Sequence, residues 1–374
     1  MTVHPESFTA EVQTPRQLMR AAMIRPRQPQ SLQVKHVARP SAKPDEVLVR
    51  VLEVGIDGTD LELIDGRYGD PPAGCDELII GHEALGRVEE VGEQVTGIQA
   101  GELVVATVRR PCAERCLNCR NDQPDFCTTG QYRERGISGL HGFLADCYVE
   151  RPESLVVIPP ALRASAVLTE PLSVVEKGVD QALRAQERLA WSPTRALVLG
   201  AGPVGLLATL VLRLMELDVT VADRVPCEHP KSRWAATLGA TYVNSQAQPL
   251  AASGGDGFDL ILEATGVSRL AFEAMCLLRP NGALVLLSVT GGQTSLTVPG
   301  DCINLHLVLR NNLILGSVNA QRRHFELAVE HLKTAERRWP HQVARLITHR
   351  CALDAIHEVL YRPPEHIKTV VEVG

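Results

Sequence analysis

The segment RALVLGAGPVGLLATLVLRLMEL, residues 195–217, decides the fold of the second half of the chain. It begins with an apolar run of strand length, passes through a glycine turn and continues as an apolar helix. Its three glycines form the pattern GxGxxG in the strand-to-helix context that makes this pattern informative. Gly200 permits the tight turn, Gly202 lets the backbone approach a pyrophosphate, and Gly205 lets the helix pack closely on the strand. The segment therefore predicts a dinucleotide-binding turn.

The next strand candidate, DVTVADR at residues 218–224, ends on Asp223 and Arg224. A carboxylate at the end of this strand can bind the adenosine ribose hydroxyls and repels a 2′-phosphate, whereas a neighbouring Arg can pair with that phosphate. The pair favours NAD and leaves NADP open. A strand–turn–helix without a ligand is the alternative interpretation.

Strands and helices alternate through the second half of the chain. Further strand candidates are FDLILEATG (258–266), GALVLLSV (282–289) and NLILGSV (312–318), with a helix around KSRWAATLGA (231–240). This alternation predicts an α/β fold with a doubly wound parallel sheet. The first half, from residue 20 onward, has short apolar runs interrupted by Pro and Gly, which predict a β-rich domain.

The composition limits the classes of partner. A chain of 374 residues with 45% hydrophobic residues is expected to form two domains with real cores. The net charge of −6 offers no long-range attraction for phosphate backbones or anionic lipids, so nucleic acid and membranes are not expected partners. No apolar run approaches the roughly 20 residues that span a bilayer, and the N-terminus lacks a secretion signal. We expect a cytoplasmic protein with reduced cysteines.

Four cysteines cluster in PCAERCLNCRNDQPDFC, residues 111–127. Cys112, Cys116, Cys119 and Cys127 can close a tetrahedral shell around zinc with no open position, which defines a structural rather than a catalytic site. Unrelated thiols are the alternative. The other six cysteines are scattered and receive no chemistry: Cys75, Cys147, Cys227, Cys276, Cys302 and Cys351.

A second set of metal-binding candidates is rich in oxygen. Asp57 and the adjacent pair His82 and Glu83 are, taken alone, as compatible with surface positions as with a metal site. Glu170 shifts that balance, because it lies in the apolar segment VLTEPLSVVEKG, where an unpaired carboxylate would be unfavourable. Asp57, His82 and one or two of the glutamates would leave a coordination position for water, as catalytic zinc sites do. Together with the dinucleotide turn, they suggest hydride chemistry at a Lewis acid.

Several segments resemble the medium-chain zinc-dependent dehydrogenases, and most closely their glucose 1-dehydrogenase branch. They are GIDGTD (55–60), GHEALGRVEEVG (81–92), TVRRPC (107–112), GISGLHGFLADCYV (136–149), LTEPLSVVEKG (168–178), VLGAGPVGLL (198–207) and LGSVNAQRRHFELAV (315–329). The resemblance implies a GroES-like catalytic domain at 21–175 and 321–374, interrupted by a Rossmann domain at 176–320. Residues 1–20 are expected to be a flexible extension.

The resemblance also implies roles for individual residues. The catalytic metal ligands would be Asp57, His82 and Glu83 or Glu170, with Asp57 standing where most of the family has Cys. Thr59, Glu83 and Glu170 would assist proton transfer, and Thr59, Glu134, Glu170 and Asn319 would contact the substrate. Val174 stands where some relatives carry Asn. The cofactor would contact Gly200, Gly202, Pro203, Val204, Gly205, Asp223, Arg224, Leu287, Ser288, Val289, Ser317, Val318 and Asn319.

The implied reaction is zinc-dependent hydride transfer from the C1 hydroxyl of a glucose-like aldose to NAD(P), which gives the lactone. Two alternatives stay open: a polyol or secondary-alcohol dehydrogenase of the same fold, and a non-catalytic NAD(P)-binding protein. A metal-free quinone reductase conflicts with the presence of His82, Glu83 and Glu170. Relatives pair through an edge strand, so a homo-dimer or homo-tetramer through NLILGSV is expected.

Overall fold

The computed structural model describes residues 17–250, 255–289, 291–361 and 363–374. Its first half is rich in short strands. They are β1 (Leu18–Ile24), β2 (Gln33–Ala38), β3 (Val47–Ile56), β4 (Leu78–Ile79), β5 (Glu83–Val91), β6 (Leu103–Ala106), β7 (Arg109–Arg110), β8 (Arg133–Arg135), β9 (Gly139–Leu140), β10 (Cys147–Glu150) and β11 (Leu155–Ile158). Two short helices interrupt them, α1 (Gly58–Ile64) and α2 (Leu117–Arg120).

The C-terminal strands return to this β-rich half. They are β18 (Ile347–Ala352) and β19 (Lys368–Glu372), and the seven-stranded sheet has the order β11-β6-β5-β3-β19-β18, with β10 also paired to β3. Strand β19 runs antiparallel to β3, with Thr369 opposite Ile56. The pairing places the start of β19 beside the residues that lead into α1.

The second half forms a six-stranded parallel sheet. Its strands are β12 (Arg195–Leu199), β13 (Asp218–Asp223), β14 (Thr241–Asn244), β15 (Phe258–Glu263), β16 (Leu278–Leu286) and β17 (Leu313–Gly316). The strand order β14-β13-β12-β15-β16-β17 reverses at β12, as in a Rossmann fold. The connecting helices are α4 (Pro203–Leu214), α5 (Pro230–Thr237), α6 (Ser268–Met275) and α7 (Gly300–Leu309). The predicted fold class is confirmed.

Two long helices connect the halves, α3 (Thr169–Gln186) and α8 (Arg322–Arg338). Short 3₁₀ turns cover Pro124–Phe126, Pro152–Ser154, Pro160–Leu162, Ala166–Leu168, Val343–Leu346 and Leu353–Leu360. The boundary predicted after residue 175 falls inside α3, which is continuous because its buried face packs on both halves. The domain limits therefore stay a prediction.

The halves share apolar packing. One cluster of buried side chains runs from Leu85 of β5 through Leu172 of α3 to Val198 of β12 and Phe325 of α8. No helix within the described ranges is long and apolar enough to cross a membrane.

The N-terminal prediction needs one correction. Residues 18–20, which the sequence assigned to a flexible extension, lie in β1, where Leu18 pairs with Ala38 of β2. The Arg20 guanidinium also binds the Asp146 carboxylate at 2.8 Å. These long-range partners order a segment whose local sequence has no clear period. The rest of the predicted extension, residues 1–16, lies outside the described residues.

The ion pair between α3 and α8 is expected to contribute more to stability at low pH than at high pH. His331 Nδ1 lies 2.6 Å from Glu176 Oε1. Burial alone would lower the pKa of the His331 imidazole, but the hydrogen bond and the negative charge of Glu176, together with the charge of Glu330, outweigh burial and raise that pKa. Because the folded state holds the proton more tightly, this stabilisation is complete below the unfolded pKa of about 6.5 and is lost as the pH rises through the raised value.

We therefore expect His331→Gln to lower the thermal midpoint more at pH 6 than at pH 9. The midpoints of both proteins, measured across this range, check the prediction. The exposed His341 provides a control, since His341→Gln should produce a smaller pH-dependent difference. A His331→Gln deficit that is equal at both pH values would contradict the assignment.

Candidate active site and metal centres

The start of α1 holds two carboxylates in fixed positions. Asp57 is the N-cap of the helix, and its Oδ1 accepts the Asp60 backbone N–H at 3.1 Å. Asp60 Oδ2 in turn accepts the Asp57 backbone N–H at 3.1 Å, which completes a capping box. Each aspartate therefore uses one oxygen for the helix and keeps the other for the site.

His82 lies between the two remaining carboxylate oxygens. Its Nε2 is 3.7 Å from Asp57 Oδ2, and its Nδ1 is 3.6 Å from Asp60 Oδ1. Burial alone would lower the pKa of His82, but the two carboxylates outweigh it and raise the pKa well above its usual value. Neither His82 Nδ1 nor Asp60 Oδ1 has a hydrogen-bond partner within 3.5 Å among the described residues. Asp60 is thus placed to orient the imidazole of a metal-binding His.

Asp60 was not among the site residues predicted from the sequence, although the sequence contains a signal for it. A D-x-x-D pattern at a helix start indicates a capping box, and DGTD at 57–60 has this form. One oxygen of such a carboxylate binds the helix backbone, and the other can contact a neighbouring side chain.

Glu83 begins β5 and lies against a buried cation. One donor atom from each of Asp57, His82 and Glu83 falls within 4.8 Å of the others. The Glu83 carboxylate also forms an ion pair with Lys368 of β19, and both side chains are almost fully buried. The carboxylate fills the space above Gly55, where a Cβ would lie 2.0 Å from Glu83 Oε2. The sequence offered no signal for Lys368, because only the pairing of β19 with β3 brings it here.

Glu170 enters the same site from the first turn of α3. It is 6% exposed, and burial raises the pKa of its carboxyl to about 8, with further contributions from the nearby Glu83 and Asp57 carboxylates. Asp57, His82 and Glu83 therefore surround one space with nitrogen and oxygen donors, and the Glu170 carboxylate lies near enough to interact electrostatically with all three. An imidazole with several carboxylates beside it is a donor set that fits a divalent cation such as zinc. Asp57 keeps 32% of its side chain exposed, which leaves an approach for a ligand.

The predicted substrate contacts form two groups. Thr59 donates its hydroxyl to Asp57 Oδ2 at 3.1 Å, so it lies at the candidate metal site. Glu134 and Asn319 lie together, with Asn319 Nδ2 donating to Glu134 Oε1 at 3.0 Å. Arg109, which was not among the predicted site residues, donates through Nε to the same oxygen at 3.0 Å. The Glu134 carboxylate is thereby held in a fixed orientation.

The four clustered cysteines lie close together. Their Sγ atoms lie within 4.8 Å of one another, and the Cys116 and Cys127 sulfurs are 3.9 Å apart. Backbone amides of Cys119 and Thr128 lower the pKa of the Cys116 thiol to about 5. Four sulfur donors with one thiol already acidic fit a structural zinc ion, whose ligands are thiolates.

The glycine turn has the shape that a bound pyrophosphate requires. Gly200 has φ of 99°, and a Cβ on Gly205 would lie 1.9 Å from the Gly200 carbonyl oxygen. A Cβ on Gly202 would meet nothing within 4 Å, which leaves open space at the start of α4. Asp223 accepts the Ala201 backbone N–H at 2.5 Å, and the neighbouring Arg224 is exposed. This turn can accommodate a dinucleotide, with Pro203 and Val204 in the first turn of α4.

The other predicted cofactor contacts follow β16 and β17. Leu287 and Ser288 are half-buried and Val289 is exposed, after the end of β16. Ser317 Oγ accepts a hydrogen bond from Gln181 Nε2 at 2.8 Å. Val318 is half exposed, and its carbonyl accepts from Lys177 Nζ at 2.7 Å. Both segments lie at the carboxyl end of the parallel sheet, where ligands of this fold bind.

Lys177 connects the cysteine-rich lobe, residues 111–127, to the segment after β17. Besides the Val318 carbonyl, its Nζ binds Asp125 Oδ2 at 2.6 Å and lies 4.4 Å from the centre of the Phe126 ring. The side chains of Lys177 and Asp125 are 1% and 0% exposed. One buried ammonium therefore fixes the segment that precedes Cys127 relative to the predicted cofactor contacts.

We expect Asp60→Asn to lower activity roughly 10- to 100-fold, the usual effect of losing a carboxylate that orients a metal-binding His. The Asn carbonyl oxygen can still cap the helix, so the thermal midpoint should change little. Steady-state rates and zinc content check this result. The matched control is Glu62→Gln, an exposed change on the same helix that should leave both values unaltered. Full activity in Asp60→Asn would remove Asp60 from the site.

Two family descriptions match the chain. "Glucose dehydrogenase C-terminus" matches residues 163–373, and "Alcohol dehydrogenase GroES-like domain" matches residues 43–160. Among curated proteins, the glucose 1-dehydrogenase of Methanocella arvoryzae is 46% identical over 358 residues, which cover 95% of this chain and 100% of that protein. The glucose 1-dehydrogenase of Thermoproteus tenax is 43% identical over 356 residues, with 95% and 99% covered.

A solved structure has the same architecture. The glucose dehydrogenase of Haloferax mediterranei, in complex with NADP, Zn and gluconolactone, superposes with a TM-score of 0.87 at 32% identity. The match covers 95% of this chain and 99% of that one.

Proposed function

This chain belongs to the glucose dehydrogenase branch of the zinc-dependent medium-chain dehydrogenases, and we propose that it oxidises glucose at the C1 hydroxyl to the lactone. NAD(P) is the hydride acceptor. The observation that carries the proposal is the convergence of Asp57, His82 and Glu83 on one space, with the buried Glu170 carboxylate near enough to interact electrostatically with them. The family relationship supplies the substrate class.

The predicted site residues form two groups, a metal site and a sugar site. Asp57, His82 and one of the two glutamates would hold a zinc ion, which would supply the Lewis acidity that makes a substrate hydroxyl more acidic. Thr59 is placed to take part in moving the hydroxyl proton, since its own hydroxyl already contacts Asp57. Glu83, which also pairs with Lys368, and Glu170 are both placed to hold the ion or to assist proton transfer.

Glu134 and Asn319 would bind the remote hydroxyls of the sugar. Both side chains already share a hydrogen bond, and Arg109 holds the Glu134 carboxylate in place. A pocket with oriented polar groups discriminates against a plain alcohol, because those groups would lose their partners when the alcohol binds. This feature favours an aldose over a simple secondary alcohol.

The test is a panel of steady-state rates with glucose, galactose, xylose, a polyol and a simple alcohol, each with NAD and NADP. The proposal expects glucose to give the highest kcat/KM. A preference for the polyol or the alcohol would assign the chain to the alternative dehydrogenase. No turnover, combined with zinc only at the four-cysteine site, would support the non-catalytic NAD(P)-binding alternative.

We expect Glu134→Gln to raise the KM for glucose roughly tenfold, the equivalent of about 1.4 kcal/mol, while kcat changes less. The amide keeps the volume of the side chain but loses the negative charge that Arg109 orients. Rates with glucose and with the simple alcohol, measured side by side, check this, since only glucose should be affected. An equal loss for both substrates would show that Glu134 does not contact sugar.

We also propose a homo-dimer or homo-tetramer in the cytoplasm. Strand β17 forms an edge of the six-stranded sheet, and the neighbouring α7 exposes Leu305, Val308 and Leu309. Edge strands and exposed apolar side chains are places where chains associate. Light scattering of the purified protein tests the oligomeric state.

A further inference from the structure

Two helices of the Rossmann domain bring together a third group of metal-binding side chains. Cys276 is the C-cap of α6, while Cys302 and His306 lie four residues apart on α7. Residues with this spacing lie on the same face of a helix. One donor atom from each of the three side chains falls within 4.8 Å of the others. The chain folds between Cys276 and Cys302 through β16, so their proximity is a product of the tertiary structure.

The sulfur separation matches the geometry of a zinc–thiolate pair. The Cys276 and Cys302 Sγ atoms are 3.6 Å apart. Two sulfurs that each lie about 2.3 Å from a tetrahedral zinc ion are separated by about 3.8 Å. Cys116 and Cys127, in the four-cysteine cluster, are 3.9 Å apart.

The third side chain, His306, also fits a zinc ion. His306 Nδ1 is buried and has no hydrogen-bond partner among the described residues. A thiol pair that served only for disulfide formation would not require an imidazole beside it.

We propose that Cys276, Cys302 and His306 form a third zinc site, separate from both the catalytic and the four-cysteine centres. Two thiolates and one imidazole are soft and borderline donors, which select zinc over magnesium or calcium. Three protein ligands leave one coordination position for water. Cys302 is exposed, which gives the ion a path from solvent.

A metal at this site would affect the segment between the two helices. Residues 277–301 include β16 and the predicted cofactor contacts Leu287, Ser288 and Val289. Zinc would join the two ends of this segment, in the way that a cross-link closes a loop. We therefore expect zinc at this site to raise the thermal midpoint of the protein.

The test is the zinc content of the purified, reduced full-length protein after equilibration with a fixed concentration of free zinc. Cys302→Ser and His306→Asn should each bind one zinc ion fewer per chain than the wild type. Cys227→Ser, which replaces an exposed cysteine outside the cluster, should keep the wild-type content. Thermal midpoints without added zinc show whether each variant is folded.

Cobalt provides a second measurement that does not depend on turnover. Cobalt-loaded wild type should show more thiolate-to-metal charge-transfer absorption than cobalt-loaded Cys302→Ser. Equal zinc content and equal absorption in wild type and folded variants would overturn the proposal. A Cys276–Cys302 disulfide, found in the protein equilibrated with zinc and without added reductant, together with no third zinc ion, would overturn it in favour of a redox pair.

Discussion

Asp57→Asn should abolish glucose oxidation while NAD(P) binding is retained. Loss of a carboxylate that only orients a metal ligand lowers activity 10- to 100-fold, so removal of a ligand itself should cost at least about 100-fold. Asparagine is as good an N-cap as aspartate, so α1 should stay folded. The variant therefore separates the role of Asp57 at the site from its role in the capping box.

Three measurements check this prediction: kcat/KM with glucose, dinucleotide affinity by titration, and zinc content. Dinucleotide affinity should be unchanged, because the glycine turn belongs to the other half of the chain. Asp65→Asn is the matched control, since Asp65 is the exposed C-cap of the same helix and should tolerate the change. Activity within a few-fold of wild type in Asp57→Asn would remove Asp57 from the ligands.

Lys177→Met should destabilise the protein by about 3–5 kcal/mol, the usual effect of removing one partner from a buried ion pair. The change leaves the fully buried Asp125 carboxylate without its cation and the Val318 carbonyl without its donor. We therefore expect a large decrease in the thermal midpoint of the zinc-loaded protein. We also expect a higher KM for the dinucleotide, because Val318 is a predicted cofactor contact.

The double variant Asp125→Asn with Lys177→Met tests whether the loss comes from the unpaired charge. Because no carboxylate is then buried alone, the double variant should be more stable than Lys177→Met. Lys333→Met is a surface control, since Lys333 pairs with the exposed Glu330 and surface pairs contribute only about 0–1 kcal/mol. If the double variant loses as much stability as Lys177→Met and Asp125→Asn lose together, Lys177 and Asp125 are not energetically coupled.

Local patterns were sufficient for much of the fold and for part of the site. The glycine turn, the strand–helix alternation and the four clustered cysteines are each encoded within a short segment. Asp57, His82, Glu83 and Glu170 could be selected from residue type and resemblance. Their roles as ligands stay a prediction that the proposed variants test.

Partners from distant segments could not be predicted in this way. Lys368 reaches Glu83 only because β19 pairs with β3, and Lys177 reaches Asp125 only because α3 packs against the cysteine-rich lobe. The sequence predicted no function for Cys276 and Cys302, yet their sulfurs lie 3.6 Å apart. No periodicity or motif relates these residues to each other.

The sequence by itself determined the nucleotide-binding turn, the alternating sheet and the chemical types of the candidate ligands. Each of these depends on interactions between residues that are close along the chain, such as strand–turn–helix geometry and ligand spacing. Only the tertiary structure decided which charged side chains have an oppositely charged partner and which do not. Burial and long-range contacts set the strength of electrostatic interactions, and neither can be read from local sequence.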